Sequence, residues 1–174
     1  MNLETNRLYI VPSTFEDTDD LLEILQDEET MKYFVEGTYV REQVEGILLK
    51  NEHVIEHYSV YLKETNKMIG KISFHPWFMD KTYEMGWIMN KEYTNQGFMT
   101  EATKAVLAYA FDTLKLHRVV ATCQPENISS KRICEKLGMR LEGTFKQCIH
   151  AGDDQWWDEL FYAILAEEYK KEMR

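Results

Sequence analysis

The segment whose spacing carries the most chemistry is Tyr83-Glu-Met-Gly-Trp-Ile-Met-Asn-Lys-Glu-Tyr-Thr-Asn-Gln-Gly-Phe-Met-Thr-Glu-Ala102. A β-favouring run, Tyr83 to Asn90, leads into a short loop with one glycine, Gly97, and then directly into a helical pattern. Such a strand–loop–helix step points unpaired backbone N–H groups at one spot, on the positive end of a helix dipole. That arrangement suits a phosphate or pyrophosphate. A single glycine before a helix also serves as an ordinary turn, and the segment has neither a P-loop ending nor a GxGxxG. Other reactive residue types are scattered. His53, His57, His75, His117 and His150 show no metal-ligand spacing. Cys123, Cys134 and Cys148 form neither a disulfide framework nor a zinc pattern, which fits a reducing cytoplasm. Trp156-Trp157 beside Asp153-Asp154 combines aromatic rings with carboxylates, which suits a cationic ligand, yet alternate strand residues packing on the core explain Trp156 or Trp157 more economically.

These residues need a frame, and 174 residues provide for one domain with a substantial core. A hydrophobic fraction of 44% rules out disorder. Twenty basic against 30 acidic side chains give a net charge of −10, which argues against gripping nucleic acid or an anionic membrane. The charge is uneven. Lys91 to Lys136 is +2, whereas the remainder is −12. No run is long and apolar enough for a spanning helix, and the N-terminus lacks a signal-peptide layout. Ser13 with Glu16 fits a capping box ahead of a helix with Leu21, Leu22, Ile24 and Leu25 on one face. A second helix carries Val44, Ile47 and Leu48 and ends near His57. Tyr58 to Lys63 and Met68 to His75 read as a hairpin. The pattern turns helical from Thr100 to Leu114. Arg118 to Cys123 then reads as a buried strand. Asn127 is a plausible N-cap for a helix from Ile128 to Leu137, with Gly138 as its stop. Two long strands, Met139 to His150 and Gln155 to Leu165, precede a helical tail from Ala166 to Arg174. The order is that of a mixed α/β domain.

In order and spacing, Thr5-Asn-Arg-Leu8, Glu84-Met-Gly-Trp87, Gln96-Gly-Phe-Met-Thr-Glu-Ala102, Asn127-x-x-Ser130 and Leu137-Gly138 resemble the GNAT superfamily of N-acetyltransferases. Within it they are most similar to the branch of ribosomal-protein N-terminal acetyltransferases. The resemblance covers essentially the whole chain. It implies one N-acetyltransferase domain over residues 1–174, with a mostly antiparallel sheet, one splayed parallel strand pair and helices on both faces. It implies acetyl-CoA as co-substrate and no metal. By the same resemblance, backbone amides of Asn95, Gln96, Gly97, Phe98, Met99 and Thr100 hold the pyrophosphate. The pantetheine arm bonds to strand backbone at Ile88, Met89 and Asn90. Asn127 reaches the pantetheine amides, Ser130 sits near the sulfur, and Lys131 and Arg132 meet CoA phosphates. The family's loop reads Gln/Arg-x-x-Gly-x-Gly/Ala. Aligned on Gly97, its outer positions are Thr94 and Met99 here, so Met99 has to leave room for the phosphates.

Glu84, on the strand that meets the pantetheine, is the candidate general base for the acceptor amine. An exposed carboxylate paired with a cross-strand lysine is the alternative. Many relatives protonate the leaving thiolate with a tyrosine seven positions after the asparagine. Cys134 stands there in this chain, so Ser130 or a water is left for that step. The implied acceptor is a primary amine, on a small molecule or a protein N-terminus, and relatives are often homodimers. A weak or inactive acyl-CoA-binding protein of the same fold is the other reading of Thr94, Met99 and Cys134.

Overall fold

The apolar periods of the chain resolve into eight strands and six α-helices among residues 1–172, which the computed structural model describes. In chain order these are β1 (Leu3–Glu4), β2 (Leu8–Pro12), α1 (Thr18–Leu25), α2 (Glu28–Met31), α3 (Arg41–His53), β3 (His57–Leu62), β4 (Lys67–Pro76), β5 (Thr82–Met89), α4 (Phe98–Ala108), β6 (Arg118–Cys123), α5 (Ile128–Lys136), β7 (Arg140–Gly152), β8 (Gln155–Leu165) and α6 (Ala166–Glu172). The strands hydrogen-bond in the order β1-β2-β3-β4-β5-β6-β8-β7. β5 and β6 run parallel, in a ladder with rungs at Thr82, Tyr83 and Glu84. This is the mixed α/β sheet expected. The chain packs as two compact units, Met1–Phe74 with Trp87–Ala105 and His75–Gly86 with Val106–Arg174.

In the first unit, Leu21, Ile24 and Leu25 of α1 pack with Met31, Val44, Leu48, Met68 and Ile88. Burying each of these side chains contributes about 1.5–3 kcal/mol before conformational entropy is subtracted. Gly70 of β4 has a steric reason. A Cβ there would lie 2.8 Å from the Ile88 carbonyl oxygen and 3.0 Å from Met99 Cε. Buried Asn51, near the end of α3, donates to Ser13 O (3.0 Å) and His57 O (2.9 Å) and accepts from the N–H groups of Glu56 (2.8 Å) and His57 (2.9 Å). One amide thereby joins the helix end to β3 and the end of β2.

In the second unit β6 pairs antiparallel with β8, and β8 with β7. Val120, Phe161 and Ala163 form a buried cluster with Trp77 against it. Asp153 and Asp154 both have positive φ (43° and 60°), as a tight turn between long strands demands.

Several boundaries differ from those expected. The N-terminal strands β1 and β2 are additions, since two and five residues are too short to show a period. The cap before α1 lies one residue later: Asp17 accepts from Thr14 N (2.7 Å), while Ser13 is buried and receives the Ser59 hydroxyl (2.8 Å). Helix α3 stops at His53, because Val54 is extended (φ −137°). The helix read from Thr100 starts at Phe98 and ends in one widened turn, Tyr109–Thr113. Of the tail read as helical, residues 173–174 lie outside the described residues. Trp156 is exposed and rests on His150 (ring centroids 4.9 Å), so it does not pack on the core.

Candidate active site

The first unit holds the strand–loop–helix step. β5 ends at Met89, Asn90 caps a short 3-10 turn by accepting from Glu92 N (3.0 Å), and Asn90 Nδ2 donates to Glu23 (2.7 Å). The Asn90 side chain is therefore structural, and its N–H bonds Ile69 O (2.9 Å). Ile88 is buried in the core. Asn95 (φ 60°) and Gly97 (φ 81°) are both left-handed, and these two reversals turn the chain onto α4. Among the described residues, the N–H groups of Asn95 through Thr100 have no acceptor, whereas Glu101 N bonds Gly97 O (3.0 Å). Six consecutive free donors at the start of an eleven-residue helix match an anion's requirements. Met99 is 4% exposed and turned toward Gly70, so its side chain leaves the loop open. The obstruction raised by its size does not arise. The exposed loop residue Gln96 braces itself, with Nε2 donating to Glu92 O (3.1 Å).

Arg7, which spacing alone did not single out, holds this step from the side. Arg7 Nε and N reach the two Glu101 oxygens at 2.6 and 2.9 Å, and Thr5 Oγ1 adds a third bond at 2.6 Å. Arg7 Nη1 donates to Gln96 O (3.1 Å), and the guanidinium covers the Phe98 ring at 4.3 Å. Its signal was the opening Thr5-Asn-Arg, visible as a motif without a location.

The second unit holds the remaining candidates. Glu84 lies on the last rung of the β5–β6 ladder, half-buried, with Thr122 as a hydrogen-bond partner. Burial raises its pKa, the His75 charge opposes that, and the Glu159 carboxylate adds to it. Among the described residues no lysine pairs with it, so the salt-bridge alternative falls away. Across β6 and β8 the register places Val120 opposite Ala163 and Thr122 opposite Phe161. Glu84, Thr122 and Phe161 therefore share a sheet face, where Trp77 (5.3 Å) and Phe145 (5.5 Å) stack on Phe161. Glu159, Thr122 and this aromatic wall were not foreseen, because neighbours across strands have no sequence signature.

Helix α5 begins as expected. Asn127 Oδ1 accepts from Ser130 N (3.1 Å) and Ser129 Oγ (2.9 Å), which leaves the Asn127 amide donors and the Ser130 hydroxyl available. The helix ends in a Schellman motif, with Gly138 at φ 71°, Gly138 N on Glu135 O and Met139 N on Cys134 O, both 3.0 Å. Lys131 is half-buried, with its ammonium near Cys123, while Arg132 is exposed. Cys134 is buried, and its thiol pairs with Cys123. That contact, followed by burial, drives the Cys134 pKa far upward, while the same contact lowers the Cys123 pKa against the opposing effect of burial. Cys134 is thus a poor proton donor at neutral pH.

The family described as an acetyltransferase (GNAT) domain matches residues 7–140. The Bacillus subtilis protein named uncharacterized N-acetyltransferase YnaD is 44% identical over 170 residues, 97% of this chain and 99% of its own. A solved acetyltransferase (GNAT family) from Bacillus anthracis has the same fold at a TM-score of 0.92 and 44% identity, covering 96% of this chain and 99% of its own. The ribosomal branch is more distant: the Escherichia coli ribosomal-protein-serine acetyltransferase is 28% identical over 116 residues, 65% of this chain and 63% of its own. On its loop–helix step, its asparagine-capped helix and these likenesses together, the chain belongs to the GNAT acetyltransferase family and is an N-acetyltransferase.

Proposed function

We propose that this enzyme transfers an acetyl group from acetyl-CoA to a primary amine by direct attack, with Glu84 as the general base. The observation that carries this reading is Glu84 itself, a half-buried carboxyl whose pKa burial raises despite the opposing His75 charge, with no salt bridge among the described residues. A base tuned upward toward neutral pH accepts a proton more readily. The N–H groups of Asn95 through Thr100 hold the pyrophosphate, and the backbone from Ile88 to Asn90 with the Asn127 amide serves the pantetheine. Lys131 and Arg132 lend positive charge to the CoA phosphates. Acetyl-CoA supplies the activated acyl group. A neutral amine attacks the thioester carbonyl, Glu84 takes the amine's proton directly or through water, and the CoA thiolate leaves. Its proton comes from the Ser130 hydroxyl or from water, since Cys134 is buried and its pKa is raised.

The amine's own pKa decides how much help it needs. At pH 7 a lysine-like amine costs about 4–5 kcal/mol to deprotonate, whereas a protein α-amino group costs about 1 kcal/mol. The acceptor is a small-molecule amine or a protein N-terminus. Resemblance to ribosomal-protein acetyltransferases favours the N-terminus, while the acidic remainder of the chain serves any cationic amine. Three unpaired cysteines suit a cytoplasmic setting. Thiol release from acetyl-CoA, measured across small amines and N-terminal peptides, tests the reading. Turnover confined to one class identifies the acceptor. Binding of CoA without turnover on any amine sinks the catalytic assignment.

A further inference from the structure

We propose that Arg7 is a positioning residue for the cofactor loop, and that its task is to lock the loop to α4 while neutralising Glu101. The proposal rests on the reading of Asn95 through Thr100 as the phosphate-holding donors. Glu101 lies in the first turn of α4, directly after those donors, where an uncompensated carboxylate repels a pyrophosphate. Arg7 offsets that charge through a salt bridge (2.6 Å) between a partly exposed guanidinium and a more buried carboxylate, and its own backbone N–H and Thr5 add two further bonds.

The same guanidinium reaches past the carboxylate. Nη1 holds the Gln96 carbonyl (3.1 Å), the plane stacks on Phe98 (4.3 Å), and Nη2 is 3.6 Å from where a Gly97 Cβ would stand. One side chain thus bonds or stacks on residues 96, 98 and 101, on either side of the left-handed turn at Gly97 and directly after the one at Asn95. Lysine keeps the charge but lacks the planar fork needed to bond a carboxylate and a carbonyl together. Holding donors in place before binding lowers the ordering cost of binding, so loosening them appears as weaker cofactor affinity.

The test compares Arg7→Lys and Arg7→Ala with the unmodified enzyme. It reads kcat, KM for acetyl-CoA, KM for the amine, calorimetric CoA affinity and Tm. Arg7→Lys is expected to raise the acetyl-CoA KM and the CoA Kd about tenfold, equivalent to ~1.4 kcal/mol, with the amine KM within about twofold. Arg7→Ala is expected to weaken CoA further, and adding Glu101→Gln to it to restore part of the affinity by removing the bare carboxylate. A merely structural role lowers Tm and leaves the acetyl-CoA and amine KM values unmoved. That result in Arg7→Lys overturns the proposal, and Arg7→Lys decides the matter even where Arg7→Ala does not fold. An unmodified enzyme that fails to bind CoA overturns the loop reading instead, and the positioning role with it.

Discussion

Glu84 shows how one side chain's surroundings set its chemistry. Burial raises its pKa from the ordinary value of 4.5, so the folded protein holds that proton more tightly than the unfolded chain. Stability therefore falls as pH rises from the unfolded value through the raised folded one. Glu84→Gln is expected to increase Tm at neutral pH while lowering kcat by about 10²–10⁴-fold, the usual weight of a general base. Its kcat–pH profile should also lose the acidic limb that the unmodified enzyme shows. An unchanged profile removes Glu84 as the base. Ser130→Ala gives a narrower reading: a lower kcat at constant KM assigns thiolate protonation to the hydroxyl, and no change assigns it to water.

At the scale of elements, β4 and β5 approach closely because Gly70 has no side chain. Gly70→Ala pushes a methyl into the Ile88 carbonyl oxygen at 2.8 Å, a backbone atom that cannot rotate away. The expected cost is about 1–3 kcal/mol, read as a drop in denaturation midpoint. Asn51→Ala removes a buried amide that makes four backbone bonds and strands the Ser13 carbonyl and the N–H groups of Glu56 and His57, while His57 O keeps the Ser13 N–H. Each such group left unsatisfied costs about 1–3 kcal/mol, so this variant is expected to be the less stable of the two. Elements with strong periods or caps, α1, β6 and α5, were legible in the sequence. The two-residue β1 was not, and the end of α3 was misplaced because Val54-Ile55 extends the apolar pattern past the last helical turn.

For the molecule as a whole, the +2 segment from Lys91 to Lys136 is partly illusory. Lys91 pairs with Asp27 and Arg118 with Glu142, both partners outside the segment, while Arg7 from outside neutralises Glu101 within it. Among the described residues, Lys131 and Arg132 of α5 form no salt bridge and keep their charges available. Burial lowers the Lys71 pKa to about 8. Its charged form is disfavoured in the folded state, so stability is expected to rise as pH climbs from about 8 toward the unfolded value of 10.5. Lys71→Met should abolish that rise in pH-dependent unfolding. Cysteine exposure gives a second global readout. Cys148 is exposed while Cys123 and Cys134 are buried, so a thiol reagent should label one cysteine quickly and three after denaturation. Rapid labelling of all three contradicts this packing.

By itself the sequence determined the family, the order of elements and the loop whose N–H groups are free, because local spacing, caps and glycines act within a few residues. Tertiary structure alone decided that Met99 turns into the core, that Cys134 is spent on Cys123, that Glu84 sits with Thr122 and Glu159, and that Arg7 clamps a loop some 90 residues away. Each of these depends on which distant residues become neighbours, and burial and charge coupling exist only once they do.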